Sequence, residues 1–379
     1  MRVTFFSYFI NHHQVWVADA MHRILGDDYK FVSIFDLPEK FRKNGYANYF
    51  DREYVVCAFT PDGMQEAMRL ARESDVAIFG GADEAQIFRE ERMSKGNNAG
   101  LIFECGERWL KRGYVNLLSP RLLAFQLRYH TRYYKWEKYY NLSMSAYGTN
   151  DYKFMHSFVG KCYKWAYFTE VGELDVENMN FTGKRIMWCN RFIGWKHPEM
   201  AILMAKQLKD DGYDFVLDMF GGGVMLDEMK QLCSKLGVDD VVNIHGTAPN
   251  DVIREEMLNH DILLTTSDRN EGWGATVNEG MSTGCVVIGA DEVGSIPRLI
   301  TDGHDGLIFK SKNLNSLVSK VKQVIGNPDK CKVIAFNAYN TMKSVWSPQN
   351  GAERFIHLCD CLLNDKPVDI KDGPCSLDV

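Results

Sequence analysis

The sequence predicts an α/β protein of two domains, each built on a parallel sheet with helices on both faces. Three observations support this: short apolar strands alternate with amphipathic helices, glycine-rich turns follow several strands, and the same order starts again near Gly183. The chain has 379 residues. That is too long for one ordinary core and long enough for two domains of roughly 100 to 200 residues.

The N-terminal half begins with an apolar strand, a polar loop and an amphipathic helix. Residues 3–9 are mostly apolar, 11–14 are polar, and apolar residues recur at helical spacing over 15–24. A further helix over 63–72 precedes an apolar strand that ends at Gly80 and Gly81. This alternation is typical of a parallel sheet.

The C-terminal half repeats the pattern. We predict strands over 185–189, 215–220, 241–245, 262–266 and 286–289, and helices over 199–209 and 225–236, the second of which ends at Gly237. The acidic segment 170–180 places a boundary near 170–183. We therefore assign 1–172 to an N-terminal domain and 173–345 to a C-terminal domain. A closing helix in 346–379 is assigned to the first domain, and the polar tail from Asn364 on is expected to fray.

Charge and composition exclude several classes of protein. A formal net charge of −6 gives no general attraction to nucleic acid, so no such partner is expected. Ten cysteines without paired zinc spacing favour reduced thiols. Neither a signal peptide nor a run of roughly 18 to 20 apolar residues is recognisable. We expect a cytoplasmic protein.

The most informative segment is 268–284, between two predicted strands. Gly272 and Gly274 would let a ligand approach the backbone closely. The amides of Gly274, Ala275 and Thr276 would open a helix, and a helix N-terminus favours a phosphate group. A diphosphate is therefore a physically sensible ligand.

Two acids and two cations accompany this turn. Glu271 precedes the predicted helix and Glu279 lies inside it, so the two carboxylates would reach different hydroxyl groups of one nucleotide sugar. Arg191 and Lys196 follow the first strand of the second half, and the carboxyl edge of a parallel sheet would bring them to the same crevice. The alternative is that all four are ordinary solvated surface charges.

Gly221-Gly222-Gly223 permits two interpretations. The triplet has some likeness to the glycine-rich fingerprint of dinucleotide-binding proteins. However, Met225 and Leu226 stand where the surroundings of the third glycine of that fingerprint are expected, so we interpret the triplet mainly as a close-packing turn.

In their order, these motifs resemble the retaining family 4 (group 1) glycosyltransferases of the GT-B fold. The resemblance covers roughly 183–310 and rests on Asn190-Arg191 with Lys196, Gly221-Gly222-Gly223, Ile244-His245-Gly246, Glu271-Gly272-Trp273-Gly274 with Glu279, and Gly294 followed by Gly303-His304-Asp305-Gly306. It implies two Rossmann-like domains facing a cleft, with the C-terminal helix crossing back to the N-terminal domain.

The resemblance also implies roles for single residues. The pair Arg191 and Lys196 would hold the diphosphate, Glu271 the donor sugar and Glu279 the ribose, while the loop 245–248 would lie against the base. The catalytic set is then Glu271, Arg191 and Lys196, and the donor-binding set is Glu279, Gly272, Trp273, Gly274, Ala275, Thr276, His245, Gly246 and Thr247.

The N-terminal half is similar to bacterial capsule and O-antigen transferases through 11–14, 107–113, 145–147 and 161–165. On this basis Asn11, His12, His13 and Glu107 form the predicted acceptor side. Asn11-His12 replaces the usual Gly-Gly of that loop. The histidines are equally well explained as hydrogen-bonding groups of the loop, and Glu107 as a local partner of Arg108 or Lys111.

The stretch 108–140 is rich in both cations and aromatic residues, a combination that suits the surface of an anionic membrane. It predicts peripheral contact with the inner face of the plasma membrane, the alternative being a solvated helix.

The expected enzyme moves a hexose, with UDP as the expected carrier, to a glycan or lipid-linked saccharide during surface polysaccharide synthesis. The resemblance implies retention at the anomeric carbon. No metal or other cofactor is expected, since cations and a helix N-terminus already offset the diphosphate charge. The alternatives are a GT-B nucleotide-sugar epimerase or hydrolase, and a non-catalytic protein that binds sugar nucleotides.

Overall fold

The computed structural model describes residues 1–39, 42, 47–81, 83–96 and 100–379. The chain forms two compact units, Met1–Thr169 together with Val345–Val379, and Glu170–Ser344. Each unit has its own parallel sheet covered by helices, so the predicted fold class is confirmed.

The N-terminal unit contains a seven-stranded sheet in the order β3-β2-β1-β4-β5-β6-β7. Its strands are β1 (Val3–Ser7), β2 (Tyr29–Ser33), β3 (Val55–Cys57), β4 (Val76–Gly80), β5 (Leu101–Gly106), β6 (Tyr139–Ser143) and β7 (Cys162–Lys164). Every neighbouring pair is parallel. The chain extends the sheet in one direction from β1 to β3 and in the other from β4 onward. The topological switch point therefore lies between β1 and β4.

Helices cover this sheet, and aromatic side chains fill the space beneath them. The helices are α1 (Val15–Leu25), α2 (Pro61–Glu73), α3 (Gln86–Met93), α4 (Pro120–Thr131) and α5 (Gly148–Phe154). Phe6 of β1 stacks on Phe79 of β4 and on Phe88 of α3, each at 5.2 Å between ring centroids. Because strands of a parallel sheet are covered on both faces, β1 is buried along its whole length.

The C-terminal unit contains a six-stranded sheet in the order β10-β9-β8-β11-β12-β13. Its strands are β8 (Arg185–Cys189), β9 (Val216–Phe220), β10 (Val242–Gly246), β11 (Ile262–Thr265), β12 (Val286–Ala290) and β13 (Leu307–Phe309). All neighbouring pairs are again parallel. The switch point of this sheet lies between β8 and β11.

The second unit contains the helices α6 (Pro198–Asp210), α7 (Leu226–Leu236), α8 (Asn250–Leu258), α9 (Ala275–Ser282), α10 (Ile296–Leu299), α11 (Leu314–Val321) and α12 (Pro328–Asn340). The helices predicted over 199–209 and 225–236 correspond to α6 and α7 and agree with them to within a few residues. Gly237 ends α7 in the left-handed conformation, with φ 63°, as predicted.

The last part of the chain returns to the first unit, which confirms the expected crossing back. The helix α13 (Pro348–Leu363) packs against α1. Its Phe355 ring lies 5.2 Å from that of Phe103 and 5.6 Å from that of Trp165.

The expectation of a frayed tail after Asn364 is wrong. Cys375 and Ser376 are buried. The Lys164 amide donates to the carbonyl oxygen of Ser376 at 2.9 Å, and the Cys375 amide donates to that of Lys164 at 2.7 Å. The tail thus pairs antiparallel with the edge strand β7, whose backbone groups would otherwise lack partners.

Candidate functional site

Two loops meet at the switch point of the C-terminal sheet. Loop 190–197 follows β8 and loop 266–274 follows β11, and these strands are hydrogen-bonded neighbours. Both loops leave the carboxyl ends of parallel strands, the edge at which open α/β sheets bind ligands. Arg191 and Lys196 lie in the first loop and Glu271 in the second, so the fold brings the predicted catalytic residues to one place.

Lys196 and Glu271 are in direct contact, with the Nζ of Lys196 donating to the Oε2 of Glu271. The loops that carry them are held by buried hydrogen bonds. The Trp188 Nε1 donates to the Oγ1 of Thr266 at 2.8 Å, and this hydroxyl donates to the Lys196 carbonyl oxygen at 2.7 Å. Lys196 is only 7% exposed. The ammonium group is therefore held in position before any ligand arrives.

Arg191 and Lys196 flank a single indole ring. The Cζ of Arg191 lies 5.6 Å and the Nζ of Lys196 lies 4.6 Å from the centroid of Trp195. An aromatic face attracts cations, so this arrangement concentrates two positive charges at the end of β8. A pair of negatively charged phosphates is the kind of group that these charges would bind.

Sequence analysis did not identify a second contact between the two loops. His197 lies between two carboxylates, with Nδ1 2.9 Å from Glu199 Oε1 and Nε2 3.3 Å from Asp268 Oδ2. Hydrogen bonds to Glu199 and then to Asp268 raise the pKa of His197. Burial alone would raise the pKa of Asp268, but hydrogen bonds from Asn270, Lys312 and His197 lower it to about 2. The contact between His197 and Asp268 therefore attaches the two loops to each other.

The turn before α9 requires glycine at position 274. Gly274 has a φ of 90°, and a Cβ there would lie 3.0 Å from Cγ1 of Val293 and 3.2 Å from Cγ of Glu271. As the N-cap of α9 it has no side chain to accept from the following amides. The first turn of a helix has amides without intrahelical partners. Those of Ala275 and Thr276 therefore lie at the helix N-terminus, where an anion is favoured.

Glu279 and Trp273 are both buried, in contrast to groups on the protein surface. Glu279 is 4% exposed, and burial raises its pKa to about 7. Trp273 is wholly buried, and its Nε1 donates to Oδ1 of Asn278 at 2.8 Å. The indole is therefore a packing group, and a ligand contact from residue 273 is restricted to its main chain. Gly272 lies beside it in the same loop.

The predicted base-binding segment 245–248 covers the end of β10 and the residues that follow it. The His245 ring stacks on Phe220 at 4.5 Å, and its Nε2 is 2.5 Å from Oδ1 of Asp218. Although burial opposes it, hydrogen bonds involving His260, His245 and Asn243 lower the pKa of Asp218 to about 2. An anchored, stacked ring offers a flat face beside Gly246 and Thr247.

Gly221-Gly222-Gly223 is a close-packing turn, which is the interpretation that sequence analysis preferred. A Cβ on Gly221 would lie 1.8 Å from the carbonyl oxygen of Asn190. The amide of Gly221 donates to the carbonyl oxygen of Gly246 at 2.7 Å. The triplet therefore holds the β8 and β10 loops close to β9.

The N-terminal unit has a cavity of about 550 Å³ at the switch point of its own sheet. It is lined by residues that follow β1, β4 and β5, among them Asn11, His13 and Glu107. His12 is not part of the lining, although its ring lies 3.8 Å from that of His13. Sequence analysis missed Tyr167, whose hydroxyl donates to Oε1 of Glu107 at 3.1 Å.

Local contacts explain part of the predicted acceptor set. The His13 backbone amide donates to Oδ1 of Asn11 at 2.9 Å, whereas the Nδ1 of its ring has no hydrogen-bond partner among the described residues. Lys111 is paired with Glu107, as the local alternative for Glu107 proposed. Burial, and then the neighbouring His12, hold the pKa of His13 well below its usual value. The cavity therefore presents a neutral imidazole and a paired carboxylate to a ligand.

The basic and aromatic stretch 108–140 is not a single helix. It contains the 3₁₀ segments Gly113–Leu118 and Tyr133–Lys135, the helix α4 and the start of β6. Tyr129, Tyr133 and Tyr139 are buried in the core, so most of the aromatic signal comes from packing. Tyr114 of this stretch is exposed, together with four aliphatic residues that sequence analysis did not single out: Val115, Leu118, Leu123 and Leu127.

Within the described ranges, no helix combines the length and apolar character needed to cross a bilayer. All ten cysteines lie in these ranges and are free thiols.

Residues 175–341 match the profile of the family described as Glycosyl transferases group 1, so the C-terminal unit carries a domain of this type. Two curated proteins are similar over part of the chain. An exopolysaccharide phosphotransferase of Streptomyces coelicolor is 24% identical over 148 residues, 39% of this chain and 16% of that protein. An uncharacterised glycosyltransferase of Methanocaldococcus jannaschii is 26% identical over 147 residues, 38% of this chain and 40% of that protein. This chain thus spans less than half of either relative.

Solved structures resemble the chain over nearly its whole length. Anabaena HepE, solved in complex with UDP and glucose, is 14% identical with a TM-score of 0.67, covering 95% of this chain and 99% of that one. The apo form of the lipopolysaccharide outer core galactosyltransferase WaaB is 15% identical with a TM-score of 0.60, covering 91% and 99%. The fold is therefore that of the GT-B class.

Proposed function

We propose that this chain is a retaining glycosyltransferase that transfers a hexose from a UDP-sugar to a saccharide or lipid-linked saccharide. The observation that carries the proposal is the contact of Lys196 with Glu271 at the switch point of the C-terminal sheet. The ammonium group of Lys196 suits a phosphate, and the carboxylate of Glu271 suits the hydroxyl groups of a sugar. The N-terminus of α9 adjoins them through Gly274.

In the proposed reaction the bond between the anomeric carbon and the diphosphate breaks, and the acceptor oxygen bonds to the same face of that carbon. The acceptor hydroxyl proton passes to the departing phosphate oxygen, so UDP and the glycoside are the products. Arg191, Lys196 and the first amides of α9 would stabilise the negative charge that develops on the phosphate. One such contact is worth about 3 to 4 kcal/mol in the transition state.

The identity of the donor is argued from the site and from the structural neighbours. His245, stacked on Phe220 and fixed by Asp218, provides a flat surface suited to a base. HepE was solved with UDP and glucose, and WaaB is a galactosyltransferase of lipopolysaccharide. These likenesses favour UDP, a hexose and a role in surface polysaccharide synthesis.

We propose that no divalent metal takes part, because two cations and a helix N-terminus are available to offset the diphosphate charge. Transfer measured in EDTA and in excess Mg²⁺ should proceed at equal rates. A rate that collapses in EDTA and returns with Mg²⁺ would contradict this proposal.

We also propose cytoplasmic location with peripheral contact to an anionic membrane, through the exposed patch formed by Tyr114, Val115, Leu118, Leu123 and Leu127. Leu118 is 78% exposed, and the exposed cations Arg112, Arg132 and Lys135 belong to the same stretch. Exposed apolar side chains and exposed cations in one segment suit the interface of an anionic bilayer.

This contact is testable with phosphatidylglycerol vesicles at low salt. Leu118→Glu should lower co-sedimentation several-fold, because it places a negative charge in the patch. Val224→Glu is the matched control, since Val224 is 91% exposed in the other unit and should not alter binding. Equal sedimentation of both variants and the unsubstituted protein would exclude the patch.

The proposed donor site is tested by thermal unfolding in a panel of nucleotide sugars. A ligand present at about 100 times its dissociation constant adds roughly 2.7 kcal/mol to stability, and we expect UDP-glucose or UDP-galactose to raise the unfolding midpoint. Glu279→Gln should reduce this shift, whereas Glu228→Gln, on the exposed face of α7, should retain it. A folded protein that no nucleotide sugar stabilises would refute the proposal.

The same samples separate the alternatives once the products are analysed. A transferase needs an acceptor to consume donor. A hydrolase releases free sugar without an acceptor, an epimerase returns a different nucleotide sugar, and a binding protein leaves the donor intact.

A further inference from the structure

A second cavity of the N-terminal unit, of about 390 Å³, adjoins the first. Gly81, Asp83, Arg121 and the segment 105–107 line both. The two cavities therefore share one wall. The second extends from the end of β5 along α4, and no residue of the predicted acceptor set other than Glu107 belongs to it.

Most charges in this second cavity are already compensated. Arg89 binds Glu104 through two hydrogen bonds of 2.6 and 2.9 Å, and both residues are buried. Arg108 binds Asp151 in the same two-pronged way, at 3.1 and 2.9 Å. Arg121 pairs with Asp83 at 2.7 Å. The positive charges of these three arginines are therefore already offset by carboxylates, and the two buried pairs are held by two hydrogen bonds each.

Arg128 is the exception among the arginines of the lining. It lies on α4, and its Nε is buried without a hydrogen-bond acceptor. Among the residues that the structure describes, no carboxylate pairs with its guanidinium. The Arg128 side chain is half-buried, and its charge has no carboxylate partner in the described part of the chain, so this cavity offers a positive charge that an anion could pair with.

An unmet hydrogen-bond acceptor lies in the same lining. Asn141 of β6 is 2% exposed, and its Oδ1 receives no hydrogen bond from the described part of the chain. Nearby lining residues are Trp109 and Tyr152, whose rings pack at 4.5 Å. Aromatic surface with a few directed polar groups is the lining that saccharide rings need.

We propose that the second cavity binds a further saccharide unit of the acceptor, one that carries an anionic group. Arg128 binds the anion, and Oδ1 of Asn141 accepts a hydrogen bond from a sugar hydroxyl. The inference rests on the proposed function, because an acceptor unit in the first cavity would place its neighbour in the second. The acceptor is then an acidic glycan, with a carboxylate or a phosphate as the anionic group.

The test is the affinity of the full chain for three probes, measured by ligand-observed NMR titration. The probes are methyl β-glucuronide, glucose 6-phosphate and the neutral methyl β-glucoside. A charged hydrogen bond makes at least one acid bind about 10-fold more tightly than the glucoside. The acid that is preferred identifies the anionic group as carboxylate or phosphate.

Two arginine variants decide whether the second cavity is responsible. Arg128→Gln should remove the preference for the acid. Arg132→Gln should retain it, since Arg132 is 64% exposed and paired loosely with Glu90. Asn141→Ala should weaken all three probes alike. Equal affinities for acid and glucoside, or a preference that survives Arg128→Gln, would overturn the inference.

A nucleotide-sugar thermal shift on the same samples separates this inference from the proposed function. If the Arg128→Gln variant keeps the thermal shift induced by the donor, the variant is folded. Its loss of preference for the acid is then specific to the second cavity. A protein that prefers the acid but binds no nucleotide sugar would contradict the proposed function and leave the anion site standing.

Discussion

Single residues determine the electrostatics of the candidate donor site. Lys196 is buried beside Glu271, and Arg191 shares the Trp195 ring with it. Their positions follow from loops attached to neighbouring strands, so the charges are arranged before a donor binds. Preorganised charge of this kind acts mainly on the transition state, because no reorganisation is needed as the negative charge develops.

Lys196→Ala should therefore lower turnover of a UDP-sugar about 100- to 1,000-fold while donor affinity changes much less. The reason is that the diphosphate gains its full charge only as it departs. Release of UDP under saturating donor measures turnover, and calorimetry measures affinity. Lys206→Ala, which removes a surface lysine of α6 paired with Asp210, should leave both unchanged. An unaltered rate in Lys196→Ala would show that this lysine has no part in the reaction.

Glu279 gives the site a pH-dependent contribution to stability. Its folded pKa is about 7, raised by burial from the usual 4.5. Between these two values the folded protein retains a proton that the unfolded chain has lost, so this contribution falls as pH rises. It is constant above about pH 7, where both states are ionised.

Glu279→Gln lacks this titration. Its unfolding free energy, relative to the unsubstituted protein, should therefore rise between about pH 4.5 and 7, by at most about 3 kcal/mol. Urea denaturation at several pH values measures the difference. A difference that is flat across this window would mean that Glu279 has an ordinary pKa in the folded state.

At the scale of elements, the turn into α9 depends on a glycine that no other residue replaces without strain. Gly274→Ala would bring a Cβ to 3.0 Å from Val293 and 3.2 Å from Glu271. We expect the variant to lose nucleotide-sugar stabilisation, because the turn and the amides at the start of α9 must shift. Thermal unfolding with and without UDP-glucose measures this.

Gly237→Ala is the matched control for that experiment. Gly237 is also left-handed, with φ 63°, but a Cβ there would meet nothing within 4 Å. The Gly237→Ala substitution should lower the free energy of unfolding by about 1 kcal/mol and leave the donor-induced thermal shift unchanged. Equal effects of the two substitutions on donor binding would contradict the special role of the turn before α9.

The segment 108–140 shows the limit of composition as a guide to elements. Its tyrosines suggested a membrane surface, yet Tyr129, Tyr133 and Tyr139 are buried in the core. Composition does not tell which face of an element is covered. Exposed Leu123 and Leu127 on α4 are four residues apart and share one face of the helix, a spacing from which the apolar patch was detectable.

At the scale of the whole molecule, the chain end completes the first unit. Gly373–Val379 supplies hydrogen bonds to Lys164 of β7, and Oδ2 of Asp378 accepts from the Thr149 hydroxyl at 2.6 Å. Removing residues 373–379 should therefore lower the unfolding midpoint and speed proteolysis of the N-terminal unit. Differential scanning fluorimetry and limited proteolysis measure both.

Removal of Val379 alone is the control, because this residue is 84% exposed and should be dispensable. If both truncations unfold like the full chain, the pairing of the tail with β7 contributes no stability.

The sequence by itself determined those features of the protein that depend only on residues close together in the chain. Alternating strands and helices, the C-cap at Gly237 and the turn at Gly274 are set by local periodicity and by the φ values a residue tolerates. The motif residues Glu271 and Glu279 were identified for the same reason, since their spacing around one helix start is local.

Sequence analysis expected Arg191, Lys196 and Glu271 at one crevice, but only the tertiary structure decided which side chains touch there. The contact of Lys196 with Glu271 requires β8 to lie beside β11, although the strands β9 and β10 separate them in the chain. The pairing of His197 with Asp268, the buried tyrosines and the strand-like tail have the same origin. Strand order and burial are set by the free energy of packing the complete unit, in which residues distant in sequence compete for the same neighbours, and no short segment contains that information.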